Sequence, residues 1–202
     1  MPLVQLKDKE IPENFSQLFH KNISNIWLEI GFGSGEHIKW QLDNNKDIGI
    51  IACEPYINGV ANLIELLNKE QLQRVKIFMG DVRNIIDSIK SNSISKIFIL
   101  FPDPWPKKKH YKRRIINKSL INNISRILIV NGELRVATDH NGYMSWILHH
   151  FLNNKDFIWM AKEKKNFLTK SENWPPTKYE DKAKRLGRIC YFFQYYKLKK
   201  NN

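Results

Sequence analysis

The chain has 202 residues, 42% of them hydrophobic and 12% aromatic, which suits one globular domain with a real core and excludes global disorder. Its net charge is +13, a field that favours nucleic acid or another anionic surface and bears on association rather than fold. The sequence is also rich in Asn, Ile and Lys together, so clustering of the cations says more than their total.

Residues 1–24 are polar and weakly patterned and read as a basic, partly ordered N-terminal arm; residues 25–202 read as a single domain without repeat or linker. The first fifteen residues have no long apolar core or small-residue cleavage site, so no signal peptide is expected. No apolar run approaches the ~18 residues that a membrane helix needs. Cys53 and Cys190 form no CxxC and no His/Cys cluster, which points to buried thiols in a reducing cytoplasm and to no metal.

In chain order, Asn25 to Ile30 reads as a buried strand that runs into Gly31-Phe32-Gly33-Ser34-Gly35 and a helix from Glu36 to Asn44. Asp47 to Cys53 is a second strand, closed by Glu54-Pro55. Asn58 to Gln71 carries Val60, Leu63, Ile64, Leu66 and Leu67 at helical spacing. Val75 to Met79 is a third strand ending at Gly80-Asp81, Arg83 to Lys90 a short helix, and Ser95 to Phe101 the fourth strand, the most apolar of all. Ile115 to Leu128 reads as an amphipathic helix, Asn131-Gly132 as a turn, and Glu133 to Ala137 as a fifth strand ending at Thr138-Asp139. Gly142 to Leu152 is helical, Phe157 to Ala161 a sixth strand, Lys162 to Arg188 a polar, proline-bearing loop, and Ile189 to Leu198 a seventh strand. Strands alternating with helices predict an α/β fold: a seven-stranded, mostly parallel sheet with helices on both faces and an antiparallel last strand.

In such sheets ligands bind beyond the carboxyl ends of the strands. Here those ends carry Glu29, Glu54, Asp81, Asp103 and Asp139. The Gly31-x-Gly33-x-Gly35 turn lets backbone approach a ligand. It is shared by dinucleotide and S-adenosylmethionine sites, but its spacing is not G-x-G-x-x-G, and Glu36 at the helix start would repel a pyrophosphate. No phosphate-binding P-loop is present. Glu54 stands where an acid can accept from both ribose hydroxyls, and Asp81 could accept from an adenine amino group. Glu29 interrupts an apolar strand and requires a partner, either a cationic ligand group or a basic residue of the chain.

After the fourth strand comes Phe101-Pro102-Asp103-Pro104-Trp105-Pro106, in which prolines fix φ and remove donors around one carboxylate. Lys107, Lys108, Lys109, Lys112, Arg113 and Arg114 follow within eight residues, either as phosphate contacts or as a solvated helix face. Trp105 and Tyr111 offer rings on which a base can stack, and Trp105 is equally suited to the core. Thr177 and Glu180 could form a capping box or reach a guanine edge.

The ordered set Glu29-Ile30-Gly31-Phe32-Gly33-Ser34-Gly35-Glu36, Phe101-Pro102-Asp103-Pro104-Trp105-Pro106-Lys107-Lys108, Thr138-Asp139 and Thr177-x-x-Glu180 resembles the bacterial tRNA (guanine-N7-)-methyltransferase family from Leu28 to Glu180. The glycine motif is common to many methyltransferases; the Pro-Asp-Pro-Trp segment with its basic run is specific. The resemblance implies a Rossmann-like class I methyltransferase that uses S-adenosyl-L-methionine to methylate guanosine 46 in the variable loop of tRNA. It implies cofactor contacts at Glu29, Gly31, Gly33, Gly35, Glu54, Asp81 and Asp103, with Asp103 also catalytic, and substrate contacts at Lys107, Asp139, Thr177, Lys178, Tyr179 and Glu180. tRNA is then the partner of a cytoplasmic protein, monomeric or homodimeric, without metal or membrane. Two other readings share the fold: a non-catalytic RNA-binding module and a nucleotide-cofactor enzyme.

Overall fold

A computed structural model describes residues 18–19, 23–152, 154–171 and 173–199; most of the expected N-terminal arm therefore lies outside the described residues. Seven strands form one sheet in the order β3-β2-β1-β4-β5-β7-β6, with β1 at Asn25–Ile30, β2 at Ile48–Cys53, β3 at Val75–Phe78, β4 at Ile94–Leu100, β5 at Leu128–Thr138, β6 at Phe157–Trp159 and β7 at Tyr191–Lys197. Neighbours from β3 through β5 are parallel, and β7 is inserted antiparallel between β5 and β6. The direction of β7 follows from its approach. Tyr191 pairs with Thr138, so the chain enters β7 at the carboxyl end of β5 and needs no crossover helix.

The central strands are buried on both faces, as parallel sheets require. Leu28, Ile51, Ile97, Ile99 and Val136 face one core, with Ile121, Ile124 and Ile147 from the helices α4 (Lys118–Ile127) and α5 (Asn141–Leu152). Trp27, Ile50, Ala52 and Phe98 face the other core, with Ile38 and Leu42 of α1 (Glu36–Asn44) and Leu63 of α2 (Ile57–Leu66).

Several elements differ from their sequence-based bounds. The helix expected over Asn58 to Gln71 is two: α2, and α3 at Lys69–Gln73, where Asn68 breaks the run by capping the Gln71 N–H. Arg83 to Lys90 is not an α-helix but two 3₁₀ turns, the first capped by Asp81. Asparagine and aspartate win here by bonding backbone that a helix would otherwise use. The helix expected from Ile115 begins only at Lys118, because Asn117 caps the Leu120 N–H. The turn at Asn131-Gly132 lies inside β5. The register against β4 shifts between Ile94 and Lys96, and Asn131 takes φ 62°. β6 ends at Trp159 rather than Ala161, and the polar loop after it holds a further helix, α6 at Lys178–Arg185.

A buried ionic network anchors the loop ahead of α6 to the sheet. Glu133 accepts from Arg135 Nε at 2.6 Å and pairs with Lys96 Nζ at 2.8 Å. Arg135 also donates to the Asn173 carbonyl and side-chain oxygens at 2.9 and 2.8 Å. Burial raises the Glu133 carboxyl, but Arg135 and Lys96 outweigh it and hold it below its ordinary value of 4.5. A depressed carboxyl stabilises the fold above its unfolded value, and that contribution is lost as pH falls through the folded one. Thermal melts of Glu133→Gln should show a loss of about 3 kcal/mol at pH 7. They should also show a shallower fall in stability below about pH 4.5 than the parent chain shows.

Candidate active site

A cavity of about 820 Å³ opens beyond the carboxyl ends of β1 to β4, within the range of small-molecule sites. Its floor is the turn after β1. Gly31 has φ 73°, and a Cβ there would meet nothing within 4 Å; the demand is conformational, and the bare backbone faces the cavity. Gly33 has φ 59°, and a Cβ on it would lie 2.9 Å from Cε2 of Tyr179, so the second glycine is required by the ring of α6 packed over it.

Glu54, only 4% exposed, sits at the end of β2 and locks this turn. Its Oε2 accepts the Gly33 N–H at 2.9 Å and its Oε1 accepts the Tyr56 N–H at 3.0 Å. Each oxygen keeps a second lone pair for a ligand hydroxyl. Asp81 lines the cavity at the end of β3. Hydrogen bonds from Arg83 lower its carboxyl below the ordinary range. Both Asp81 oxygens accept from Arg83, Nε lying at 2.9 and 3.0 Å. A bound adenine amino group would have to share or displace that fork.

Glu29 stands apart from the main cavity. It is buried and bonded at 2.7 Å to Nδ1 of His37, whose Nε2 lies 3.1 Å from Gln41 Nε2. An Nδ1–H donating to Glu29 and an Nε2 accepting from Gln41 satisfy the network. Of the two partners the sequence left open, the structure supplies the basic residue. Glu29 and Glu36 line a small crevice that shares Gly31, Leu100 and Tyr179 with the cavity. One Glu36 oxygen accepts the Lys178 N–H at 2.9 Å, tying the start of α1 to the start of α6. Its other oxygen is buried without a hydrogen-bond partner among the described residues.

Asp103 projects from the end of β4 into the cavity. It is exposed and makes no hydrogen bond or ion pair with any described residue. Phe101 and Trp105, which flank it, take φ 52° and 40°. Left-handed backbone at such residues costs about 1–3 kcal/mol each and clusters at functional sites. The basic run winds as a 3₁₀ helix, Lys108–Arg113, and brings Lys112 and Arg113 to the cavity rim, while Lys107 faces solvent. Arg113 lies 4.8 Å from the Trp105 ring. Arg114 is different: it is 2% exposed and turned inward, so it is no phosphate contact. Tyr111 packs on Arg114 and Trp146, which removes it as a stacking platform.

Of the remaining expected substrate residues, Asp139 pairs with Arg188 at 2.8 Å. Thr177 caps α6 by accepting the Glu180 N–H, and buried Glu180 binds Lys170 and Lys184, each at 2.6 Å. A guanine-edge contact by Thr177 or Glu180 would have to break these bonds. Tyr179 is half-exposed at the cavity, and burial, reinforced by Glu54, Glu36 and Asp103, raises its phenol above the ordinary value. Tyr56 and Asn62 also line the cavity and were not singled out from the sequence, whereas Lys112 and Arg113 were named there only as members of the basic block. The cations of the block were visible there, but the 3₁₀ winding decides which of them turn inward.

The residues present fit S-adenosylmethionine. A buried carboxylate offers lone pairs at the position for ribose, bare glycine backbone forms the floor, and acidic groups line the end where a cationic ligand group would lie.

A family model described as "Putative methyltransferase" matches residues 24–193. A tRNA (guanine-N(7)-)-methyltransferase of Chelativorans sp. is 40% identical over 177 residues, covering 88% of this chain and 76% of that protein. The corresponding protein of Agrobacterium fabrum is 36% identical over 189 residues, covering 93% and 82%. Among solved structures, an rRNA methylase from Streptococcus thermophilus superposes with a TM-score of 0.59 at 11% identity over 92% of each chain. A methyltransferase from Streptococcus mutans, solved in complex with SAH, gives 0.56 at 14% identity over 91% of this chain and 93% of that one.

Gly33→Ala should force Tyr179 off the turn and strain a left-handed position. Calorimetric titration with S-adenosylhomocysteine should show an affinity at least tenfold lower, the effect of about 1.4 kcal/mol.

Proposed function

The chain belongs to the tRNA (guanine-N(7)-)-methyltransferase family, and we propose that it methylates N7 of guanosine 46 in the variable loop of tRNA with S-adenosyl-L-methionine, giving 7-methylguanosine and S-adenosylhomocysteine. The observation that carries this reading is Asp103: a carboxylate lining a cofactor-sized cavity and unpaired among the described residues, with Lys112 and Arg113 on the same lining. Acids and cations on one cavity suit a cationic methyl donor and a polyanionic substrate that meet there.

Bound S-adenosylmethionine supplies an electrophilic methyl group, whose bond to sulfur breaks as the bond to N7 forms, the electron pair leaving with sulfur. Guanine N7 presents an in-plane lone pair and has no proton to lose, so the chain needs no general base. Its task is alignment of the two reacting atoms, which proximity and orientation accomplish. Positive charge then develops on the imidazole part of guanine, and the fixed Asp103 carboxylate stabilises it. Glu54 would hold the ribose hydroxyls and Asp81 the adenine amino group, with the backbone of Gly31 and Gly33 beneath, whereas Gly35, expected as a third contact, is buried against Leu63 and does not line the cavity. Glu29 would act from the crevice beside Gly31, through the same acidic corner as Glu36. On the RNA side we assign Lys107 and Asp139 to the substrate. Within Thr177–Glu180, contact falls to Lys178 and Tyr179, the two residues whose side chains are not spent inside the fold.

Incubation with unmodified tRNA and labelled S-adenosylmethionine, followed by mapping of the product base, should place one methyl group on N7 of guanosine 46. Methylation at another atom, or none with cofactor bound, would sink the reading. Asp103→Ala should reduce single-turnover rate by about 10²–10³, the size of losing one charge-stabilising group. Its S-adenosylhomocysteine affinity should change little. Near-normal turnover with weaker cofactor binding would assign Asp103 to the cofactor alone.

A further inference from the structure

The prolines of the loop that carries Asp103 fix their own φ but leave it without backbone hydrogen bonds to brace it. Pro102, Pro104 and Pro106 have no N–H to donate. Between Phe101, which donates to the Ala137 carbonyl, and Lys107, which accepts from His110, no backbone–backbone hydrogen bond to a described residue forms. Phe101 and Trp105 are moreover held at φ 52° and 40°. Something outside the loop must maintain this conformation.

We propose that Arg114 is the positioning residue of the catalytic loop, a buried cation whose fork holds the Pro104 and Trp105 carbonyls and so aims Asp103 into the cavity. The inference rests on the reading of Asp103 as the catalytic carboxylate. Arg114 Nε donates to the Pro104 carbonyl at 2.9 Å and Nη2 to the Trp105 carbonyl at 3.4 Å. Among the described residues no carboxylate pairs with it. Instead its guanidinium lies 3.7 Å from the Tyr111 ring centre, 4.7 Å from that of Trp146 and 5.1 Å from that of Tyr143. Ring faces stabilise a desolvated cation electrostatically, and they leave its donors free for carbonyls, which a carboxylate would not.

The cage is itself fixed. Trp146 Nε1 donates to the Ile116 carbonyl at 2.7 Å, and the Tyr143 hydroxyl accepts the Ile116 N–H at 3.2 Å. Burial, eased by that bond and by Arg114, raises the Tyr143 phenol to about 12, so it stays neutral beside the cation at any working pH. Position thus passes from α5 to Arg114, from Arg114 to two carbonyls, and from them to the carboxylate between. Lysine cannot replace this fork, having no planar pair of donors at fixed separation.

The test compares Arg114→Lys and Arg114→Met with Asp103→Ala in single-turnover methyl transfer at saturating tRNA. Both Arg114 variants should lose about 100-fold in rate, the scale of a 1 Å misplacement. Their S-adenosylhomocysteine affinity should be unchanged, and so should the salt slope of tRNA binding, since Arg114 neutralises no phosphate. Added guanidinium ion at millimolar concentration should restore part of the rate to Arg114→Ala. Should the Met variant fail to fold, Arg114→Lys carries the comparison, because it keeps charge and stem. A wild-type rate in Arg114→Lys beside an inactive Asp103→Ala overturns the positioning role alone. A shallower salt slope with full rate at saturating tRNA makes Arg114 a phosphate contact and overturns it too. Full activity in Asp103→Ala overturns the reading of Asp103 on which it rests.

Discussion

The carboxylate of Glu54 is the constraint on which the rest of the site depends. It is almost fully buried, and its two oxygens accept the Gly33 and Tyr56 N–H groups. Those two bonds join the turn after β1 to the start of α2. A buried carboxylate without such donors would be costly. With them it fixes the distance between two strand ends and still offers lone pairs to a ligand. Gly59 packs against the same joint, where an added Cβ would fall 2.3 Å from the Gly33 carbonyl oxygen. The floor of the cavity is therefore close-packed backbone rather than an adaptable loop.

The second wall comes from distant sequence. Residues 160–171 and 173–177 lead from β6 to α6, and three polar contacts tie them and the start of α6 to the rest of the fold. Arg135 binds Asn173, Lys170 binds Glu180, and Glu36 accepts the Lys178 N–H. The Arg135 and Glu180 contacts draw on buried charges, so they are worth more than a solvent-exposed pair. Together they set Tyr179 over Gly33. The turn after β1 and the start of α6 are thus packed as one unit.

Both signs of charge meet at the site. Glu54, Asp81 and Asp103 line the cavity together with Arg83, Lys112 and Arg113, Glu29 and Glu36 line the crevice beside it, and Lys107 to Lys109 face solvent. Arg114 is the exception within the basic block, and its environment explains why. Three aromatic rings and two carbonyls surround its guanidinium and take the place of water.

What the sequence determined by itself was the order of the seven strands, the strand-end placement of the acids, and the family motif. Apolar runs of the right length, punctuated by glycine, proline and acid, leave few ways to fold. The buried Glu29 was legible as a charge in want of a partner, because nothing else explains an acid in an apolar strand. That its partner is His37 was not, since only the packing of α1 on β1 and β4 brings the imidazole to 2.7 Å. Helix bounds at Asn68, Asp81 and Asn117 were decided by side chains that cap backbone, a competition local enough to be read yet too close in energy to be settled by pattern. The basic block shows the boundary most sharply. Six cations in eight residues look alike in sequence, and only tertiary structure turns Arg114 into an aromatic cage, sends Lys112 and Arg113 to the cavity, and leaves Lys107 in water. Sequence fixes which groups are available; a side chain's direction depends on residues far along the chain that share its space.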